Sequence, residues 1–369
     1  MPKNKVSKEK SIRRTKTLAE IFVCAVFFVA SGYAVKMCSD NATVVEKSKL
    51  VDASGADDIK LPDTTETPDP DKIIFTYAPI NTSEKFNGDL ILVNNQHEYV
   101  SDGNENLVSI LSKNDETERD FFTSVDYSYS IREVVYEPMA QMIQDFYNIY
   151  QNDTLIIYGS YRTNEFQQQL YDNYIAQGNT DDAPLVAKPG FSEHETGYAF
   201  DFSETENYDY QGTGDFAWLN ENCYKYGFII RYTEEKQDIT EFQSEPWHFR
   251  YVGIPHATYI TENNICFEEY IDLLLNTYSY ENEHLNITGA DGGEYEVFSF
   301  KADEMSDVTN IPVPTGYRYD VSGNNVDGFI ITVHKNEKVE FGQENPEMNT
   351  TEPDSPTDDM PEEYETPEE

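Results

Sequence analysis

Apolar residues are unevenly spread along this chain, and their spacing changes from one stretch to the next. After sixteen polar, largely basic residues, positions 17–37 form a long apolar run, interrupted by Glu20 near its basic end. At ~1.5 Å per residue such a run reaches ~31 Å, about one hydrocarbon core. Residues 38–72 hold many Asp, Thr, Pro and Lys and few apolar side chains, the composition of a disordered acidic stalk. Order is expected from about Ile73. Residues 90–94 read as a short buried strand and 101–120 as a long polar loop. Residues 131–150 read as a helix, with Val134, Met139, Met142, Ile143, Phe146 and Ile149 among its apolar positions. A strand follows at 154–158. Asn164, with Gln167 three residues on, matches a capping box and opens a helix that buries Phe166, Leu170 and Tyr174 and stops at Gly178. Asp215 is the expected cap of a further helix carrying Trp218, Leu219 and Cys223 and ending at Gly227. Residues 228–232 read as a strand and 267–275 as a last core helix.

Two stretches alternate strictly. Ala199, Asp201 and Ser203 share one face of a strand, with Tyr198, Phe200 and Phe202 on the other. His248 and Arg250 likewise share a face opposite Trp247, Phe249 and Tyr251. Asp201 and His248 are thus expected on two strands whose aromatic faces are buried, with His194 supplied by the loop before the first and Gly197 easing the turn. Pro246 disfavours helix between Glu245 and His248, which rules out the one-helix zinc motif and frees Glu245 to project from the strand entrance. Two imidazoles, one carboxylate and a second carboxylate beside the later His are the inventory of a catalytic zinc site with one ion and an open position for water.

From Glu283 onward the texture is β. Residues 285–288, 295–300, 317–321 and 328–333 read as short strands split by Gly and Asn turns, a small unit within 283–340. Residues 341–369, acidic and recurrently broken by Pro, read as a disordered tail. The fold class expected is α+β: a small, mainly antiparallel sheet with flanking helices carrying the zinc site over 73–277, followed by the small β unit.

The net charge of −43 makes nucleic acid a poor partner, because no phosphate-neutralising surface is available. The balance is uneven. Eight Lys and Arg against Glu9 and Glu20 give residues 1–36 a local charge of +6. Positive charge ahead of the apolar run places 1–16 in the cytoplasm, makes 17–37 a single-pass transmembrane signal anchor in the cytoplasmic membrane, and leaves the rest extracytoplasmic. A signal peptide cut after Gly32-Tyr33-Ala34, giving a secreted enzyme, is the rival reading. Cys24 and Cys38 belong to the membrane region. Cys223 and Cys266 lack metal-type spacing and read either as two separate buried thiols or as a disulfide.

Three blocks in order resemble the VanY-type zinc D-alanyl-D-alanine carboxypeptidases, in the wider group that includes lysostaphin-like peptidases and the hedgehog signalling domain. They are Gly159-Ser160-Tyr161-Arg162-Thr163 with Gln167; Ser192-x-His194-x-x-Gly197-x-Ala199-x-Asp201; and Glu245-Pro246-Trp247-His248-Phe249-Arg250-Tyr251-Val252-Gly253. Residues 227–232 are also similar to the family. Gly-Ser replaces the family's Ser-Gly before Tyr161, and Glu195 and Tyr198 stand where Gln and Leu are common. The resemblance implies His194, Asp201 and His248 as zinc ligands and Glu245 as catalytic base. It implies Arg162 as a substrate-facing cation that assists catalysis, with Gln167 and Ser192 lining the site. Trp247 is a further expected substrate contact or core wall, and Ser192 reads equally as a cap. Glu193 and Glu195 are expected to be solvated, and His97, His256, His284 and His334 to bind no metal.

The implied activity is hydrolysis of the terminal D-Ala of peptidoglycan stem peptides by a metal-activated water, in a monomer. L,D-carboxypeptidase action on tetrapeptide stems and a non-catalytic, zinc-containing wall-binding module are the alternatives.

Overall fold

The computed structural model describes residues 72–339, apart from 102, 104, 180–182, 206 and 207. The basic tail, the apolar run, the stalk up to residue 71, the acidic C-terminal tail, Cys24 and Cys38 lie outside the described residues. Among the described residues no helix is long and apolar enough to cross a membrane. In chain order the strands are β1 Phe75–Asn81, β2 Leu107–Ser109, β3 Thr123–Ser124, β4 Ser130–Arg132, β5 Leu155–Gly159, β6 Ala199–Glu204, β7 Phe228–Tyr232, β8 Glu245–Tyr251, β9 Leu285–Thr288, β10 Glu294–Lys301, β11 Val308–Pro314, β12 Tyr317–Gly323 and β13 Gly328–Lys338.

A five-stranded sheet of order β3-β5-β6-β8-β7 carries the middle of the chain. Its pairings are antiparallel except that of β3 with β5. The alternating runs behave as expected. Phe200 and Phe249 stack at 5.6 Å with planes 5° apart, and Phe202 meets Phe249 edge-on at 4.8 Å. This aromatic face is covered by the helix Glu133–Tyr150 through Val135, Met139, Met142, Ile143 and Phe146. That helix starts two residues later than expected, after β4. Its buried stripe follows a strict helical period from Val135, so Val134 and Ile149 fall off it and are 53% and 55% exposed.

Other expectations need correction. The stretch expected to be a loop, 101–120, contains β2 and the helix Ile110–Thr117, capped by Ser109, whose Oγ accepts from Ser112 N. Only Ile110 and Asn114 of that helix are buried, too few to leave a periodic signal. Residues 90–94 are buried but form no strand. Their backbone is satisfied across the fold instead: Leu92 N donates to Asn324 O, and Asn325 Nδ2 donates to Leu92 O. The helix Asn164–Ala176 is capped by Thr163 rather than Asn164, and Phe166 lies half exposed in its first turn. Asp215 caps nothing; it sits inside the short turn Gly214–Phe216 that leads into the helix Ala217–Asn222.

The C-terminal strands form a four-stranded antiparallel sheet, β12-β13-β10-β9. A strand not expected, β11, pairs with β1 at the start of the described chain, register Phe75 with Pro314. Pro312 and Pro314 hid it, since proline argues against a strand except where its missing N–H is not needed. The β unit shares one core with what precedes it. Leu285, Ile287, Val297 and Ile330 pack with Ile229, Val252, Ile260, Phe267, Ile271 and Leu274. The last four come from the helices Ile254–Glu262 and Phe267–Asn276.

Fully burying one large aliphatic side chain contributes roughly 1.5–3 kcal/mol, against a total stability of about 5–15 kcal/mol. A chain ending at Asn282 is therefore predicted to lose its cooperative unfolding transition, as measured by circular dichroism against temperature. Retention of the full-length midpoint would contradict the shared core.

Candidate metal centre

The site is assembled by the β6–β8 ladder, whose register sets Asp201 directly opposite His248. With Phe200 and Phe249 turned into the core, the period of two forces both polar side chains to the other face. His194 comes from the 3₁₀ turn Glu193–Thr196 just ahead of β6, a turn closed by Gly197 at φ 75°. The three side chains converge: one donor atom from each lies within 4.8 Å of the others, so they could hold a metal ion.

Each imidazole is held at its outer nitrogen and presents the inner one. His194 Nδ1 lies 2.9 Å from Ser160 O, and its Nε2 lies 3.2 Å from Asp201 Oδ2. His248 Nε2 lies 3.3 Å from Glu193 Oε2, and its Nδ1 lies 3.0 Å from Asp201 Oδ1. The rings are nearly perpendicular, with centroids 4.9 Å apart. Asp201 Oδ1 is buried and forms no hydrogen bond, despite the nearby ring nitrogen. A buried carboxylate oxygen left without a hydrogen bond beside two converging imidazoles is what a cation's ligands look like in the protein alone, since buried polar atoms seldom go unsatisfied otherwise. Two nitrogens and one carboxylate oxygen also fit the donor set of a catalytic zinc site.

Charge follows the same geometry. Burial opposes ionisation of Asp201, but the two imidazoles outweigh it and hold the carboxyl well below its usual range. Burial and Arg162 push His194 down to about 4. Burial would lower His248 as well, but the carboxylates of Asp201 and Glu193 hold it up at about 9.

Around this point stand the other expected residues. Glu245 opens β8 with its Oε2 3.7 Å from His248 Nδ1. An irregularity in the β7–β8 ladder lies between Ile230 and Tyr232, whose partner is Glu245. Burial raises the Glu245 carboxyl to about 8, with His248 and Arg162 opposing and Asp201 and Glu193 adding to the rise. Arg162 follows β5; its Nη2 lies 3.3 Å from Asp201 Oδ2 and its Nη1 3.4 Å from Gln167 Oε1. Gln167 is fully buried and its Nε2 donates to Ala187 O at 2.8 Å, so it braces the guanidinium from behind. Ser192 heads the turn that carries His194 and is buried there. Trp247 packs against the aromatic core, on the face of β8 away from His248. The remaining expected non-ligands, His97, His256, His284 and His334, stand outside the convergent group, and Cys223 and Cys266 are buried free thiols.

Two residues read as solvated are not. Glu193 is buried, its Oε1 accepting from Arg231 Nε at 2.7 Å and Arg250 Nη1 at 2.9 Å. Glu195 is buried too, its Oε2 accepting from the backbone N–H of Gly190 and Ser192, and its Oε1 from Asn164. The tight turn carries 193 to 196 inward together; Glu193 is satisfied by arginines distant in sequence, and Glu195 by the turn's own backbone and the remote Asn164. Arg231 inside the otherwise apolar β7, and Arg250 between aromatic neighbours on β8, were the readable sign, since a buried cation needs a buried partner.

A family model for VanY, D-alanyl-D-alanine carboxypeptidase, matches residues 128–254, a span that holds every site residue above. The chain is 32% identical over 267 residues to a D-alanyl-D-alanine carboxypeptidase of Enterococcus faecium, covering 69% of this chain and 80% of that one. It is 42% identical over 118 residues to the putative carboxypeptidase YodJ of Bacillus subtilis, covering 30% of this chain and 43% of that protein. The structure of the vancomycin-resistance D,D-dipeptidase VanXYg, in complex with a D-Ala-D-Ala phosphinate analog, aligns with a TM-score of 0.60 at 28% identity. That alignment covers 71% of this chain and 99% of the other. Fold and site together define a peptidase of the carboxypeptidase class. More narrowly, the chain belongs to the VanY D-alanyl-D-alanine carboxypeptidase family.

Gly159 sits opposite Asp201 in the β5–β6 ladder, and a Cβ there would lie 2.0 Å from Asp201 Oδ2. Gly159→Ala is predicted to push the carboxylate out of the convergent group while the fold survives. Equilibrium dialysis should then show divalent-metal affinity at least about tenfold weaker, the low end of losses seen when a ligand's support is removed. Unchanged affinity would contradict the placement.

Proposed function

We propose that this chain is a zinc-dependent D-alanyl-D-alanine carboxypeptidase that removes the terminal D-Ala from peptidoglycan stem peptides. The observation that carries the reading is the convergence of His194, Asp201 and His248 beside a buried Glu245, within the span matched by the family. Zinc bound by these three side chains would supply Lewis acidity and a water made acidic enough to attack near neutral pH.

The chain's own residues do the rest. A dication held beside Glu245 would offset the burial that raises its carboxyl in the ion-free site, and the carboxylate then accepts the proton of the attacking water and returns it to the leaving amine. Arg162 turns its planar donors toward the negative charge of the substrate, either the carbonyl oxygen as it becomes an oxyanion or the terminal carboxylate. Gln167 keeps that guanidinium in place, so the cation is preorganised rather than recruited. The basic residues before the apolar run at 17–37 support a membrane anchor with the catalytic domain outside the cytoplasm.

The test is incubation of the protein with pentapeptide and tetrapeptide stems, with and without a chelator. D-Ala release from the pentapeptide is expected, abolished by chelator. Glu245→Gln should lower kcat about 10²–10⁴-fold while zinc stays bound. Release from the tetrapeptide alone would move the assignment to L,D-carboxypeptidase, and tight zinc with no turnover on either would favour a binding module.

A further inference from the structure

The two imidazoles of the metal centre are supported differently. His194 is held from outside by a backbone carbonyl, Ser160 O. His248 is held by a side chain, the Glu193 carboxylate, which is itself wholly enclosed. The surroundings of Glu193 exceed what charge neutrality needs. Two guanidiniums, Arg231 and Arg250, meet its Oε1, and Arg231 also grips Glu268 through two donors at 2.6 and 2.8 Å. Two arginines and two glutamates balance without His248. The Glu193–His248 contact is therefore not required for compensation, and what it does is fix the ring. With Oε1 clamped by both arginines, Oε2 is left aimed at His248 Nε2, 3.3 Å away. A carboxylate can only accept, so Nε2 donates to Glu193; Nδ1 faces the Asp201 carboxylate, Oδ1 at 3.0 Å, where a bound cation would displace its proton and take the lone pair.

The clamp continues outward. Arg250 lies on β8 two residues after His248, and its Nη2 donates to Asp89 O at 2.8 Å and Ile91 O at 3.0 Å. That segment is held in turn by the turn between β12 and β13: Leu92 N donates to Asn324 O, and Asn325 Nδ2 donates to Leu92 O. An unbroken series of hydrogen bonds and short backbone steps thus runs from the C-terminal sheet to a ligand ring.

We propose that Glu193 is a positioning residue of the metal centre: it sets His248 in the Nε2–H form with Nδ1 facing the ion, and through Arg250 it ties that ring to the C-terminal sheet. The inference rests on the metal reading of His194, Asp201 and His248.

The test uses the full chain, with zinc and cobalt(II) as probes and nitrogen NMR of the imidazoles. In wild-type protein loaded with zinc, Nε2 of His248 is expected to be protonated and Nδ1 to carry the metal. Glu193→Asp keeps a carboxylate for the arginines but withdraws it from the ring. Glu193→Gln puts an amide donor where the acceptor was and favours the wrong tautomer. Both should weaken zinc binding about 10–100-fold in chelator competition and change the cobalt absorption spectrum, the aspartate variant with little loss of thermal midpoint. Zinc affinity within about twofold of wild type in both variants, with an unchanged cobalt spectrum, would overturn the proposal. Metal on Nε2 of the wild-type ring would overturn it also, and that result does not depend on either variant folding. Wild-type protein that binds no zinc would instead remove the metal reading itself, and this inference with it.

Discussion

Everything at this centre depends on one cross-strand pairing, Asp201 opposite His248. The pairing is held from below, where Phe200 and Phe249 stack on the buried face of the same two strands. In a sheet a slip of one residue exchanges the faces, so the stack of Phe200 on Phe249 and the pairing of Asp201 with His248 belong to one register. Packing energy invested in the core thus fixes the position of two polar side chains on the other side.

Holding so many charges in the interior is costly, and the fold meets the cost with specific partners rather than solvent. Glu193 and Glu268 lie against Arg231 and Arg250, and Glu195 takes backbone donors at the head of the turn. Such a set adds little net stability compared with apolar packing, and its use lies in geometric definition. Gly159 makes the complementary contribution by being absent as a side chain, which lets Asp201 approach β5. The C-terminal sheet contributes to the same end, since it packs on the helices behind β7 and β8 and braces residues 89–92.

The three converging side chains and the two strands that carry Asp201 and His248 were legible because their information is local. Alternation at 199–203 and 247–251 marked the faces, and Gly197 marked the turn that carries His194. The helix Ile110–Thr117 was not legible, because a mostly exposed helix carries no apolar period. Nor was β11, where two prolines contradicted a pairing that only the distant β1 supplies. Glu193 was the most consequential miss. A glutamate beside a ligand reads as solvated until its arginines, 38 and 57 residues further on, are placed in space.

The central claim is that His194, Asp201 and His248 grip a single ion. Anomalous X-ray diffraction from zinc-loaded crystals, collected on both sides of the zinc absorption edge, tests it most directly. The account predicts one strong peak about 2.0–2.2 Å from a nitrogen of each imidazole and from an Asp201 oxygen. A peak at other residues, or one touching fewer than these three side chains, would contradict it.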